Sequence, residues 1–309
     1  MDNKYFYEKN AVITGAASGI GKELAMQLGQ LGTNLVISDI NMDRLEQLEE
    51  ELVKMGVEVH AYHCNVVKRS EVNSLFEHVK SDFGNLNFLF SNAGLAVGGQ
   101  FELFSRDQWK SIIDVNISGC INMVSTFLPK MLEQGFGHVI VTSSIAGIIG
   151  VGGLIPYSTT KFANYGFCEA LYGEFHSRGI DVSVICPFPL KTNLIENAQF
   201  SLDPDTMKGV PQEKLQDIVN MGKEHFWEEF TKDSLDISEA VEIYLKKIAK
   251  KKFYVCERRI PRLIYLIKGL WPNLAKKMVQ NFGTENCELL NDSYQICYDA
   301  IDKELNSKT

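Results

Sequence analysis

From residue 11 to residue 186 the chain repeats one pattern. A short apolar run, rich in β-branched residues, is followed by a stretch whose apolar residues recur at helical spacing. Six such runs occur, at 11–14, 34–38, 57–63, 86–90, 138–142 and 180–186. The intervening helical stretches cover 19–31, 41–55, 70–83, about 105–134 and 157–177. Strand and helix in strict alternation predict a doubly wound, Rossmann-like parallel sheet with helices on both faces. A helix near 237–250 and a strand at 252–255 complete the sheet. Residues 190–232 are less regular and sit where a substrate loop would lie. The predicted domain therefore runs over 1–256, and 257–309 forms a C-terminal helical appendage.

The first strand ends in Thr14-Gly15-Ala16-Ala17-Ser18-Gly19-Ile20-Gly21. Glycines permit a tight turn and let backbone approach a pyrophosphate closely. The helix that follows offers free N–H groups to the phosphates. The spacing G-x-x-x-G-x-G differs from the commoner G-x-G-x-x-G. Gly21-Lys22 is followed by Glu23 rather than Ser or Thr, which disfavours a P-loop. Asp39 ends the second strand, eighteen residues after Gly21. A carboxylate there accepts both hydroxyls of an adenosine ribose and repels a 2′-phosphate. No Lys or Arg stands beside it in Ile40-Asn41 or in the glycine turn, so the reading is NAD rather than NADP.

Tyr157 and Lys161 stand at i and i+4 and share one helix face. A nearby ammonium favours a phenolate and lowers the tyrosine pKa, which makes Tyr157 a candidate general acid/base. Ser144 ends the fifth strand, thirteen residues before Tyr157.

Together the glycine turn, Asn92-Ala93-Gly94, Asn116, Ser144, Tyr157 and Lys161 resemble the short-chain dehydrogenase/reductase family over roughly residues 8–195. The resemblance implies a nicotinamide-dependent oxidoreductase. It makes Tyr157 the acid/base, and Lys161 the ribose ligand that tunes it. Ser144 would hydrogen-bond the reacting oxygen, and Asn116 would anchor a proton-relay water. Asn92, Ala93 and Gly94 would support the sheet and the adenosine side. Asn65-Val66 replaces the family's Asp-Val pair at the adenine. After the sixth strand, Pro187-Phe188-Pro189-Leu190-Lys191-Thr192 keeps the proline and the carboxamide-binding threonine but puts Phe188 where the family has glycine. Gly15, Ser18, Gly19, Ile20, Gly21, Asp39, Asn65, Val66, Asn92, Ala93, Gly94, Tyr157, Lys161, Pro187 and Thr192 are thus the cofactor candidates. Phe188 is the one feature that favours the alternative, a non-catalytic dinucleotide sensor or scaffold. The family resemblance also implies a homo-oligomer.

Residues 145–155 contain no charge and no hydrogen-bonding side chain, and Leu95-Ala96-Val97 is equally apolar. With Phe200, Met207, Phe226, Trp227 and Phe230 they predict a pocket for a hydrophobic ketone or secondary alcohol. His60 and His63 lack a clustered carboxylate, so no metal site is expected.

Charge is unevenly spread. Residues 246–277 hold eleven bases and one acid, Glu257, whereas the rest of the chain holds 20 bases and 38 acids. An acidic body with one basic stretch is not a nucleic-acid binder. Because residues 263–267 are apolar on all faces, they read as buried in a pocket cap or subunit contact. Peripheral membrane contact through 258–277 is the alternative. The seven cysteines are odd in number and form no C-x-x-C, which predicts reduced core thiols. The N-terminus lacks an apolar signal core and no run approaches a spanning length, so a cytoplasmic location is expected.

Overall fold

The computed structural model describes residues 3–192, 198–200, 202–203, 205–258 and 260–306. Parts of the expected substrate loop, Arg259 and the side chain of Arg262 lie outside the described residues.

The alternation becomes β1 (Asn10–Thr14), α1 (Gly19–Gln30), β2 (Asn34–Asp39), α2 (Met42–Lys54), β3 (Val59–His63), α3 (Arg69–Phe83) and β4 (Phe88–Ser91). A two-residue strand β5 (Val97–Gly98) follows, then α4 (Arg106–Ile113), a π-helical turn (Asp114–Gly119) and α5 (Cys120–Gln134). Next come β6 (Gly137–Thr142), α6 (Ile155–Phe175), β7 (Ile180–Ile185) and β8 (Gln199–Phe200). The chain continues with α7 (Gln212–Phe230), α8 (Ile237–Ile248), β9 (Tyr254–Val255), α9 (Ile260–Leu270) and α10 (Pro272–Asn306). Seven strands form one parallel sheet in the order β3-β2-β1-β4-β6-β7-β9.

Period-2 alternation in the strands feeds two cores. Val12, Val36, Leu89, Val139, Val141, Val182 and Val184 face α3, α5 and α6. Ile13, Leu35, Ile37, Phe88, Phe90, Ile140 and Ile185 face α1, α2 and α8. Both faces of β1, β2, β4, β6 and β7 are covered, which is why these runs are largely apolar. Strand order reverses between β1 and β4, and the crevice beyond the strand ends at that point is where an open α/β sheet binds ligands. The stretch 106–134 is long and apolar enough to cross a membrane, but Met123, Val124, Phe127 and Met131 pack in the core.

Two expectations fail. Residues 190–232 are not irregular throughout, because α7 occupies nineteen of them. Its Ile218 and Phe226 pack against Leu290, Tyr294, Cys297 and Ile301 of α10, and Phe200 and Met207 join the same cluster. Nor is 263–267 buried on all faces. Ile264 and Ile267 are covered, but Leu263, Tyr265 and Leu266 are exposed. A single helix laid on the domain's surface buries only one side.

Candidate active site

A cleft of about 540 Å³ opens at the β1/β4 crevice. At one end the glycine turn wraps the start of α1. Gly15 (φ +67°) and Gly19 (φ +54°) adopt left-handed backbone, and a Cβ on Gly15 would stand 2.8 Å from Ala93 Cα. Ser18 begins α1 in extended conformation without a side-chain cap bond, leaving first-turn N–H groups for an anion. Gly15, Ser18, Gly19 and Ile20 line the cleft. Gly21 does not. It sits behind the turn, where a Cβ would meet Gly15 O at 2.1 Å and Asn92 Nδ2 at 2.7 Å. There it leaves room for the turn to fold back on α1.

Asn92 locks the turn. Its Nδ2 donates to Thr14 O (3.1 Å) and Gly15 O (3.3 Å), and its Oδ1 accepts from Thr142 Oγ1 (3.0 Å). Asn92, Ala93, Gly94, Asn65 and Val66 all line the cleft. Asn65 Oδ1 accepts Val67 N at 3.0 Å, which shapes the local turn. Asp39 Oδ2 accepts Ala17 N (3.1 Å) and Oδ1 accepts Asn41 N (3.0 Å), fixing the carboxylate beside the glycine turn. Arg44 of α2 lines the same end. The sequence count of neighbouring cations missed it because it lies one helical turn beyond Asn41.

At the other end stand Ser144, Tyr157 and Lys161. Tyr157 hydrogen-bonds Ser144, and its ring centroid lies 5.5 Å from Lys161 Nζ. Lys161 Nζ donates to Thr142 O at 2.9 Å. Burial pushes the Tyr157 phenol up to about 12; the Ser144 hydrogen bond opposes this and the nearby Cys186 adds to it. Burial also brings Lys161 down to about 8. The expected lowering of the tyrosine by its ammonium neighbour is therefore not seen. Desolvation of the phenol outweighs the hydrogen bond from Ser144.

Asn116 is buried in the π-helical turn and does not line the cleft. Its Oδ1 accepts Leu95 N (2.9 Å), and its Nδ2 donates to Leu95 O (3.0 Å) and Thr160 Oγ1 (3.0 Å). It clamps the 92–95 segment to α6.

Pro187, Phe188, Pro189, Leu190 and Thr192 form the facing wall, with Thr192 Cβ 3.4 Å from a Cβ built on Gly19. The residue that fixes this wall escaped the sequence reading. Glu257 Oε1 accepts Phe188 N (2.8 Å) and its Oε2 accepts Tyr244 OH (2.7 Å). The Arg258 guanidinium lies 5.2 Å from the Phe188 ring centroid. The bulky ring thus lines the cleft wall with a cation over it. A lone acid in a basic run was the available signal.

Ile145, Ala146, Val151 and Leu154 give the cleft an apolar end, closed by Trp227 and Phe230 of α7 and Phe282 of α10. Ile148 and Ile149 pack in the core instead, as Phe200, Met207 and Phe226 pack with α10.

The short chain dehydrogenase family profile matches residues 9–201. The chain belongs to that family. It is 37% identical to mouse epidermal retinol dehydrogenase 2 over 189 residues, 60% of this chain and 61% of that protein. It is 34% identical to a cyclohexanol dehydrogenase of an Acinetobacter species over 224 residues, 71% of this chain and 89% of that one. The chain thus spans about three-fifths of the length of the retinol dehydrogenase. A short-chain dehydrogenase/reductase from Burkholderia phymatum, solved with NAD, superposes with a TM-score of 0.74 at 26% identity, covering 86% of this chain and 96% of that one. Members of the family bind a nicotinamide dinucleotide.

Proposed function

We propose that this chain is an NAD-dependent oxidoreductase that interconverts a hydrophobic secondary alcohol and its ketone. The observation that carries the proposal is the meeting of Tyr157, Ser144 and Lys161 at the junction of a glycine-turn cleft and an apolar end. The residues fit a dinucleotide. A Cβ would fill the turn at Gly15, the start of α1 offers free N–H groups, and Asp39 offers a fixed carboxylate for ribose hydroxyls.

When bound, the nicotinamide supplies or accepts the hydride. The protein supplies one proton and the orientation. In reduction the Tyr157 hydroxyl, protonated at neutral pH, gives its proton to the carbonyl oxygen as that oxygen gains charge. Ser144 donates a hydrogen bond to the same oxygen and holds it within reach of Tyr157. In oxidation Tyr157 must first lose its proton, and a charged Lys161 beside its ring favours that loss. Lys161 is kept in place by Thr142 O, and Thr192 faces the glycine turn from the opposite wall. The apolar end excludes water and selects substrates without charge.

The Asp39 carboxylate supports NAD over NADP, whereas Arg44 at the same end is the group that would accept a 2′-phosphate. The test is a series of secondary alcohols of increasing apolar size offered with NAD⁺ and with NADP⁺, followed by reduced-cofactor absorbance. Turnover with NAD⁺ that improves with apolar size is expected. Binding of NADH without turnover of any alcohol or ketone would support the sensor reading, and a preference for NADP⁺ would overturn the assignment to Asp39.

A further inference from the structure

α9 crosses the domain with one side covered and the other bare. Ile264 and Ile267 are buried, whereas Leu263, Leu266 and Leu270, at i, i+3 and i+7, are 55%, 56% and 64% exposed. Helical hydrogen bonding continues through the α9–α10 junction, with Trp271 N on Ile267 O (2.8 Å) and Ala275 N on Trp271 O (3.0 Å). Beyond it, Trp271 and Leu274 are also 56% and 47% exposed. Isolated exposed apolar residues are ordinary, but five large ones between residues 263 and 274 are not.

The segment's own charges have one sign, and the acid against it is Glu169 of α6, which accepts the Tyr265 hydroxyl at 3.3 Å. Residues 258–284 hold six cations (Arg258, Arg259, Arg262, Lys268, Lys276 and Lys277) and no acid. Lys268, Lys276 and Lys277 are exposed, in a protein whose net charge is −8. An apolar stripe with a tryptophan, flanked by lysines, matches the boundary between acyl chains and anionic headgroups. A second copy of the chain matches it poorly, because a two-fold contact sets the cationic strip against itself.

We propose that the α9–α10 junction docks this protein onto the surface of an anionic lipid bilayer. Leu263, Leu266, Leu270, Trp271 and Leu274 enter the interface, and Lys276 and Lys277 meet the headgroups. The same helices hold the apolar end of the cleft. Lys268 Nζ donates to Ile148 O at 2.6 Å, Asn286 Nδ2 bonds Gly152 O, and Phe282 lines the cleft. Docking therefore brings the substrate end toward the phase in which an apolar alcohol dissolves; that last step alone rests on the oxidoreductase reading.

The test is flotation of the full chain with phosphatidylcholine vesicles, with and without phosphatidylserine. The wild type floats with the serine-containing vesicles, and less so as salt rises. Leu266→Glu/Leu270→Glu lowers the bound fraction about tenfold or more while the melting temperature holds. Lys276→Glu/Lys277→Glu removes the dependence on phosphatidylserine. A wild type that stays with the dense fraction overturns the proposal, as do glutamate variants that float equally well. A concentration-dependent dimer that the leucine variants dissociate, without vesicle binding, assigns the face to a second copy and overturns it too. Flotation reads no turnover, so failure of the catalytic reading leaves this result standing.

Discussion

Glu257 makes the most demanding prediction, because it ties the unusual Phe188 wall to the sheet. Its carboxylate takes the Phe188 N–H at 2.8 Å and the Tyr244 hydroxyl at 2.7 Å, and Tyr244 is fully buried. Hydrogen bonds to a charged group contribute about 1.5–3 kcal/mol each, and a buried hydroxyl left without a partner costs about 1–3 kcal/mol. The Phe188 hydrogen bond is only part-buried, so Glu257→Ala destabilises by roughly 3–5 kcal/mol rather than the full sum. At about 2–4 °C per kcal/mol for a large domain, the melting temperature falls by roughly 10 °C. The loosened 187–192 wall also raises KM for the dinucleotide about three- to tenfold, the equivalent of about 1 kcal/mol of lost ordering. Adding Tyr244→Phe to Glu257→Ala removes the orphaned hydroxyl and recovers part of the melting temperature. Differential scanning fluorimetry and steady-state kinetics read both effects. An unchanged melting temperature in Glu257→Ala, or no recovery in the double variant, refutes the hydrogen-bond argument.

Gly21→Ala forces a Cβ to 2.1 Å from Gly15 O, so it lowers stability by about 1–3 kcal/mol and dinucleotide affinity with it, read by thermal melting and NADH fluorescence titration. Asp39→Asn weakens NADH binding about tenfold, for one lost charged hydrogen bond, and narrows its margin over NADPH in the same titration. His138 is buried between Tyr5 OH (2.9 Å) and Ser183 Oγ (2.8 Å). Burial lowers its pKa to about 4, with Asp181 opposing and Lys251 assisting. The unfolded chain takes up that proton first, so the contribution is whole above about pH 6.5 and is lost as pH falls through about 4. The loss is about 3 kcal/mol, and a His138→Gln variant shows a correspondingly shallower pH dependence of urea unfolding between those values.

The strands and helices to residue 186 were legible because each buries a periodic apolar face against one sheet. α7 carried the same signal, with Leu215, Ile218, Val219, Gly222 and Phe226 at helical spacing, but its partner α10 lies some seventy residues further on. A helix paired with another helix far along the chain has no neighbouring strand to announce it. The glycine turn, Asp39, Ser144, Tyr157 and Lys161 were readable because their chemistry dictates residue type at fixed spacing. Gly21 and Asn116 were readable as positions, but not as residues that stand behind the cleft wall, since a sequence records identity and not facing. Arg44 and Glu257 reach the site only through folding. One is a helix turn from its strand and the other is sixty-nine residues from the amide it holds. The exposed side of α9 was hidden because an all-apolar run does not say which half is covered.

The central claim is that Tyr157 moves the proton while hydride moves. The direct test compares wild type with Tyr157→Phe for oxidation of an apolar secondary alcohol by NAD⁺, with NADH binding titrated on both proteins. Turnover falls by a factor of about 10²–10⁴ in the variant, while the dissociation constant for NADH stays within about threefold. Equal turnover in the two proteins, with binding intact, would contradict the account.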